Sequence, residues 1–240
     1  MFEIKSTELA ARIGKLYTKN GNMETPALLP VLHPVNQLID TSVIKRMGFE
    51  AIMTNSYITW QRYGDEAVDK NIHKIVDFEG PIMTDSGGYQ VLEYGKVDVG
   101  EIEIARFQEN IDSDFCNILD KPTSLADNWE TARNSVTQTL ESCEVTLKNI
   151  ERKSIWMAPI QGGKFLDLVE FSSKQLSKMD FDMFTLGSPT EIMENYDYTL
   201  LAKMIITAKK NIPSEKALHL FGLGHPLPLS MAVALGCDTF

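Results

Sequence analysis

Short apolar runs recur along the chain, spaced so that one amphipathic helix fits between each pair. The runs Ala27 to Leu32, Ala51 to Asn55, Ile82 to Asp85, Phe115 to Asp120, Trp156 to Gln161, Met183 to Ser188 and Leu218 to Gly224, with an eighth beginning near Cys237, have the length and continuous hydrophobicity of strands buried on both faces. Between them the period changes to three or four. It is clearest from Asp127 to about Glu151, where Trp129, Ala132, Val136, Leu140, Cys143, Leu147 and Ile150 share one face. Asp127, with Glu130 three residues on, is the expected cap. Shorter helices of the same kind are predicted over Asp167 to Met179 and Asn195 to Asn211, the second stopped by Pro213.

Eight buried strands alternating with helices give an α/β fold and point to a (β/α)8 TIM barrel, with a doubly wound open sheet as the runner-up. Polar groups favour the barrel. Thr54-Asn55-Ser56, Asp85-Ser86, Asp120, Gln161-Gly162-Gly163, Gly187-Ser188 and Gly222-Leu223-Gly224 all close different strands, on the face where such barrels carry their sites. The eighth run reaches only Phe240, so the expected barrel is incomplete at that strand. No Gly/Ser linker, low-complexity tract or repeat divides the chain, which reads as one domain over residues 1–240.

Composition adds limits. The N-terminus, Met1-Phe2-Glu3-Ile4-Lys5, has no signal-peptide pattern, and no apolar run approaches the roughly 18 residues of a membrane span, so a cytoplasmic protein without a membrane partner is expected. Cys116, Cys143 and Cys237 are scattered, with no CxxC pair, and read as buried thiols. His33, His73 and His219 show no ligand spacing, and no metal site is expected within the chain. The 33 acidic residues against 23 basic, a net charge of −10, argue against a chain that grips phosphates by itself.

The most distinctive stretch is Pro81 to Gln90. A strand of Ile82, Met83 and Thr84 delivers Asp85 to its carboxyl end, Gly87-Gly88 lets backbone N–H groups approach a ligand, and Tyr89 offers a flat apolar face. Such a group suits a planar, donor-bearing molecule such as a nucleobase. A strand followed by an ordinary Gly-Gly turn fits equally well, and both readings stand at this point. Asp120 could accept two parallel N–H donors from one edge of guanine, each charge-assisted bond contributing roughly 1.5–3 kcal/mol, or could be a loop residue that caps a helix or pairs with Lys121. Gln161-Gly162-Gly163 repeats the pattern with an amide, a Gly-Gly turn again being the plain alternative. His225 precedes Pro226, a good first helical residue, and reads as a turn residue before it reads as a catalyst.

Taken together, Thr84-Asp85-Ser86-Gly87-Gly88-Tyr89-Gln90, Leu119-Asp120-Lys121-Pro122, Ile160-Gln161-Gly162-Gly163, Leu186-Gly187-Ser188-Pro189-Thr190-Glu191 and His219 to Pro226 resemble the tRNA-guanine transglycosylase family, from about Ala27 to the last residue. Gly187-Ser188-Pro189-Thr190-Glu191 is closer in wording to the archaeal archaeosine branch than to the bacterial queuine branch. The resemblance implies a (β/α)8 barrel that exchanges guanine in tRNA for a 7-deazaguanine, 7-cyano-7-deazaguanine in the archaeal case, through a covalent ribosyl-aspartate intermediate. It implies Asp85 as a catalytic aspartate. It assigns the base to Ser86, Asp120, Gln161 and Gly162, to Leu186, Gly187 and Ser188, and to Gly222, with Tyr89 and Phe221 as the stacking pair.

One departure goes with the resemblance. The family's nucleophilic aspartate directly follows the phenylalanine of Gly-x-Asp-x-Phe, here Gly236-Cys237-Asp238-Thr239-Phe240, where this sequence ends; Asp238 lies three positions too early to replace it. The family's zinc ion and RNA-binding modules are likewise expected beyond residue 240, as is the homodimer of the full-length form. The chain therefore reads as the amino-terminal catalytic part of such a transferase, inactive alone. The alternative is a nucleophile-less partner subunit that binds tRNA or base without catalysis.

Overall fold

The computed structural model describes residues 2–88, 98–187 and 190–240. Six parallel strands form one curled sheet in sequential order: β4 (Ile52–Asn55), β5 (Ile82–Asp85), β6 (Phe115–Asn117), β7 (Ile155–Ile160), β8 (Met183–Leu186) and β9 (Leu218–Leu220). Helices cover its outer face. They are α1 (Thr41–Arg46), α2 (Ser56–Tyr63), α3 (Asp65–Lys70), α4 (Ile72–Val76), α5 (Glu101–Asn110), α6 (Trp129–Asn149), α7 (Leu166–Leu176), α8 (Thr190–Glu194), α9 (Tyr198–Asn211) and α10 (Pro226–Ala234). The architecture is an α/β, incomplete (β/α) barrel.

The two outermost positions of the ring are held by bridges in place of full strands. Val31 bridges Met53 on one side, Ala27 bridges Thr239 on the other, and Thr239 also bridges His219. Main-chain bonds from Ala27 N to Asp238 O (3.0 Å), Leu29 N to Phe240 O (2.8 Å) and Leu220 N to Thr239 O (2.9 Å) fasten these segments. The short run ending at Phe240 thus joins the first and last parallel segments with very little ladder.

A second sheet precedes the first expected strand. Its strands β1 (Phe2–Glu8), β2 (Ala11–Thr18) and β3 (Gly21–Thr25) are antiparallel in the order β1-β2-β3. The alternation in β2 is inverted, which hides it in the sequence: Arg12 is buried whereas Ile13 is 54% exposed. Leu16 and Met23 project from this sheet into an apolar layer with Met53, Met83, Phe115, Met157 and Met183, one residue from each of five successive parallel strands. The small sheet therefore closes the amino-terminal end of the barrel interior.

Two residues further along every parallel strand but β7, which has Pro159 there, the interior turns polar, since side chains on one face recur with period two. Asn55, Asp85, Asn117, Thr185 and His219 occupy this next layer. His219 is fully buried, bonds Thr239 Oγ1 through Nδ1 at 3.0 Å, and is kept neutral by burial, which pushes its pKa down to about 3.

Helix boundaries shift modestly from expectation. The long helix is capped by Asn128, whose side chain accepts from Thr131 N at 2.9 Å, and not by Asp127, which accepts from Ser124 N at 2.9 Å and so shapes the preceding turn. His225 is the N-cap of α10, its Nδ1 accepting from Leu227 N at 3.2 Å, with Pro226 as the first helical residue. All three cysteines are buried thiols.

Candidate functional site

At the carboxyl ends of the parallel strands lies a cavity of about 530 Å³, lined among others by Asn55, Asp85, Asn117, Asp120, Gln161, Gly187 and Phe221. A cavity of about 760 Å³ between α2, α3 and α5 is larger but contains none of the residues singled out from sequence.

Asp85 ends β5 facing this cavity. Asn55 Nδ2 donates to its Oδ2 at 3.1 Å, while Asn55 Oδ1 caps α2 by accepting from Ile58 N at 2.8 Å. Burial pushes the Asp85 carboxyl up to about 6, against opposing backbone bonds from Gly87 and Ser86 and a side-chain bond from Asn117. The N–H groups of Ser86 and Gly87 therefore turn back onto Asp85, so that of the Gly87-Gly88 donors expected to approach a ligand, that of Gly87 serves the carboxylate instead. A buried carboxylate needs such donors, and Gly87 supplies the left-handed backbone (φ 103°) that aims them. Ser86 is fully buried and its Oγ donates to Ile118 O at 2.8 Å, so its hydroxyl ties β5 to the end of β6.

Asp120 and Gln161 meet directly, Gln161 Nε2 donating to Asp120 Oδ2. Gln161 Oε1 accepts from Thr123 N (3.2 Å) and Thr123 Oγ1 (3.3 Å), which fixes the amide's orientation. Asp120 is pushed up to about 7, first by burial and then by the negative charge of Asp85, with Gln161 opposing. Two glycines make room for this pair. A Cβ on Gly88 would stand 2.0 Å from Asp120 Oδ1, and one on Gly187 would stand 2.2 Å from Gln161 Nε2.

The other expected residues divide. Phe221 lines the cavity, with the His219 ring edge-on to it at 4.6 Å between centroids. Gly222 also lines it, in a left-handed conformation (φ 74°) against Thr190. The Leu186 side chain is buried in the core, so only its backbone faces the strand end. Gly187 N donates to Ile160 O at 2.9 Å, so this N–H is committed to β7 and does not face a ligand. A Cβ on Gly162 would meet Val169 N at 2.5 Å, so glycine there lets α7 start close to β7. Tyr89 and Ser188 lie outside the described residues.

Sequence reasoning passed over Asn117. Its signal was present in the triplets Met53-Thr54-Asn55, Met83-Thr84-Asp85 and Phe115-Cys116-Asn117, which close three neighbouring strands in the same way. Glu191, which accepts from Leu125 N at 2.6 Å and from Ser124 Oγ, joins α8 to the loop after Asp120 and also lines the cavity.

A family model described as "Queuine tRNA-ribosyltransferase" matches residues 7–240. The chain belongs to that family. Among the relatives of this chain are proteins named tRNA-guanine(15) transglycosylase. That of Aeropyrum pernix is 42% identical over 244 residues, covering all of this chain and 47% of the relative. That of Pyrobaculum aerophilum is 44% identical over 241 residues, with 48% of the relative covered. That of Methanosarcina mazei is 39% identical over 242 residues, with 49% covered. The chain spans about half the length of the curated relatives it matches.

Among the described residues no group of three or more His, Cys, Asp or Glu could hold a metal ion. Burial pushes the Cys116, Cys143 and Cys237 thiols up, as for inert core cysteines. Among the described residues no helix is long and apolar enough to cross a membrane.

Proposed function

We propose that this barrel is the base-exchange centre of a tRNA-guanine transglycosylase. It would replace a guanine of tRNA with a 7-deazaguanine, 7-cyano-7-deazaguanine in the archaeosine sense, through a covalent ribosyl-carboxylate intermediate. The observation that carries the reading is the Asp120 and Gln161 pair, one acceptor-only group and one amide, buried side by side at the mouth and given room by two glycines.

The chemistry follows from the groups present. A flipped-out guanine offers N1–H and one amino hydrogen as parallel donors, and the Asp120 carboxylate accepts both. Gln161 stands beside it to meet the carbonyl edge, and Phe221 gives a face for stacking, worth on the order of 1–3 kcal/mol per base. Asp85, with its carboxyl near 6, can hold or release a proton at neutral pH and so serves as the general acid and base for the departing and entering ring nitrogen. The attacking carboxylate is assigned to the residue that follows Phe240 in the family pattern. Two carboxyl groups then divide nucleophilic and proton-transfer roles, as in a retaining glycosidase.

The test is to incubate the full-length protein with tRNA and radiolabelled guanine. Labelled tRNA is expected, with unlabelled 7-cyano-7-deazaguanine competing. Tight guanine binding without any label entering tRNA would sink the exchange and leave only a base-binding module.

A further inference from the structure

Asn117 sits level with Asp85. The pairings Met83 with Phe115 and Thr84 with Cys116 place it at the next step of the β5 and β6 register, just as Asn55 pairs with Asp85 across β4 and β5. Asp85 is thus flanked by two carboxamides. The one on Asn55 is fully engaged, its amino group on Asp85 and its oxygen on the α2 cap.

The one on Asn117 is held rigidly but is half engaged. Gln108 of α5 clasps its backbone from both sides, Oε1 accepting from Asn117 N at 3.0 Å and Nε2 donating to Asn117 O at 2.9 Å. This takes over from the ladder to β5, which ends one residue earlier at Cys116, while the pairing with β7 continues through Asn117 and Met157. The Asn117 side chain bonds Asp85, and an ionised carboxylate only accepts, so the amino group faces Asp85 and Oδ1 turns the other way. That oxygen is buried, in a residue only 2% exposed, and has no partner among the described residues. Buried acceptors are rarely left so unless something else supplies the donor.

We propose that Asn117 is a specificity-determining residue of the base pocket, its Oδ1 accepting the second hydrogen of the exocyclic 2-amino group of a guanine-type base. The proposal rests on the reading of the pocket as a guanine site. With N1–H and the near amino hydrogen on Asp120, the remaining amino hydrogen points toward the glycosidic side of the ring. Asp85 must stand on that side to act at the ribose bond, and Asn117 is beside it. The wall formed by Asp85, Asn117 and Asp120 is rich in acceptors and suits a donor-rich edge. An amide at this position supplies an acceptor without placing a third carboxylate against two that burial already disfavours.

Calorimetric titration of the protein with guanine and with N2-methylguanine tests this. The methylated base keeps one amino hydrogen for Asp120 and replaces the other with a methyl group. The wild type is expected to prefer guanine by about tenfold or more, the scale of one lost buried hydrogen bond. Asn117→Ala removes the acceptor and opens space for the methyl, so the preference should narrow to about threefold or less, with the melting temperature recorded as a control on folding. An unchanged preference in Asn117→Ala, or equal weakening of both bases, would overturn the assignment. Equal binding of the two bases by the wild type would overturn it without any variant. A preserved guanine preference in a protein that puts no label into tRNA would instead refute the exchange reading and leave the role of Asn117 intact.

Discussion

Arg12 and Asp238, 226 residues apart in sequence, form a buried ion pair that fastens the small antiparallel sheet to the last segment of the barrel. Arg12 Nε donates to Asp238 Oδ1 at 3.0 Å, a second guanidinium nitrogen donates to Oδ2, and Leu218 N donates to the same Oδ2 at 2.8 Å. The guanidinium also donates to the carbonyls of Ser214 and Lys216. Asp238 of the Gly-x-Asp-x-Phe pattern is therefore a structural tether, directed away from the base cavity.

Arg12→Met should destabilise the fold by about 3–5 kcal/mol, because it leaves a buried carboxylate without its counter-charge. Urea denaturation followed by circular dichroism measures this. The double variant Arg12→Met with Asp238→Leu should recover much of the loss, since it removes both charges. A single-variant cost under about 1 kcal/mol would show that the pair does not hold the sheet in place.

Asp85→Ala should abolish base exchange while moving the melting temperature by only a few degrees. The residue lies at the cavity wall, and two of the donors that it releases, the carboxamides of Asn55 and Asn117, line the same cavity, where a water can take its place. A large fall in melting temperature with exchange retained would assign Asp85 a capping role.

Asp120 should make both stability and guanine binding depend on pH, in opposite senses. Its carboxyl lies near 7 in the fold against 3.8 when unperturbed, so the native state holds a proton that the unfolded chain has lost. Its contribution to stability is then full below the unfolded value and declines as pH rises toward about 7. Asp120→Asn should remove that decline, so that the melting temperature of the variant gains on the wild type between about pH 4 and 7. Guanine needs the ionised acceptor, so wild-type affinity should rise over the same interval and the variant should bind weakly at every pH. Parallel pH profiles for the two proteins would exclude Asp120 as the titrating acceptor.

Gly187→Ala should weaken guanine binding by about tenfold. The added Cβ would stand 2.2 Å from Gln161 Nε2, forcing the amide away from Asp120 and from its Thr123 partners. Gly224→Ala is the control, since a Cβ there meets nothing within 4 Å. Titration of both variants with guanine would contradict the packing argument if they lost affinity equally.

Much of this arrangement is legible without coordinates, and the exceptions have definite causes. The barrel strands announce themselves because burial on both faces makes them continuously apolar, and Asp85, Asp120 and Gln161 stand out because a polar group ends each run. The amino-terminal sheet does not, because Arg12 points inward to meet Asp238 and so inverts the alternation of β2. The glycines were readable as close approaches, but not what approaches them. At Gly162 it is the backbone of α7, at Gly88 and Gly187 the side chains of Asp120 and Gln161.

The sequence by itself determined the order of the parallel strands and of the longer helices between them, the barrel class and the identity of the polar residues at the strand ends, because these depend on local periodicity and on where apolar runs stop. Tertiary structure alone decided how those groups use their hydrogen bonds. It turned the Ser86-Gly87 donors onto Asp85, gave the Ser86 hydroxyl to Ile118 and paired Gln161 with Asp120. It also left the Asn117 oxygen as a buried acceptor without a partner among the described residues. The reason is physical: inter-strand register sets which side chains are neighbours, and burial then decides which of them must be satisfied by one another.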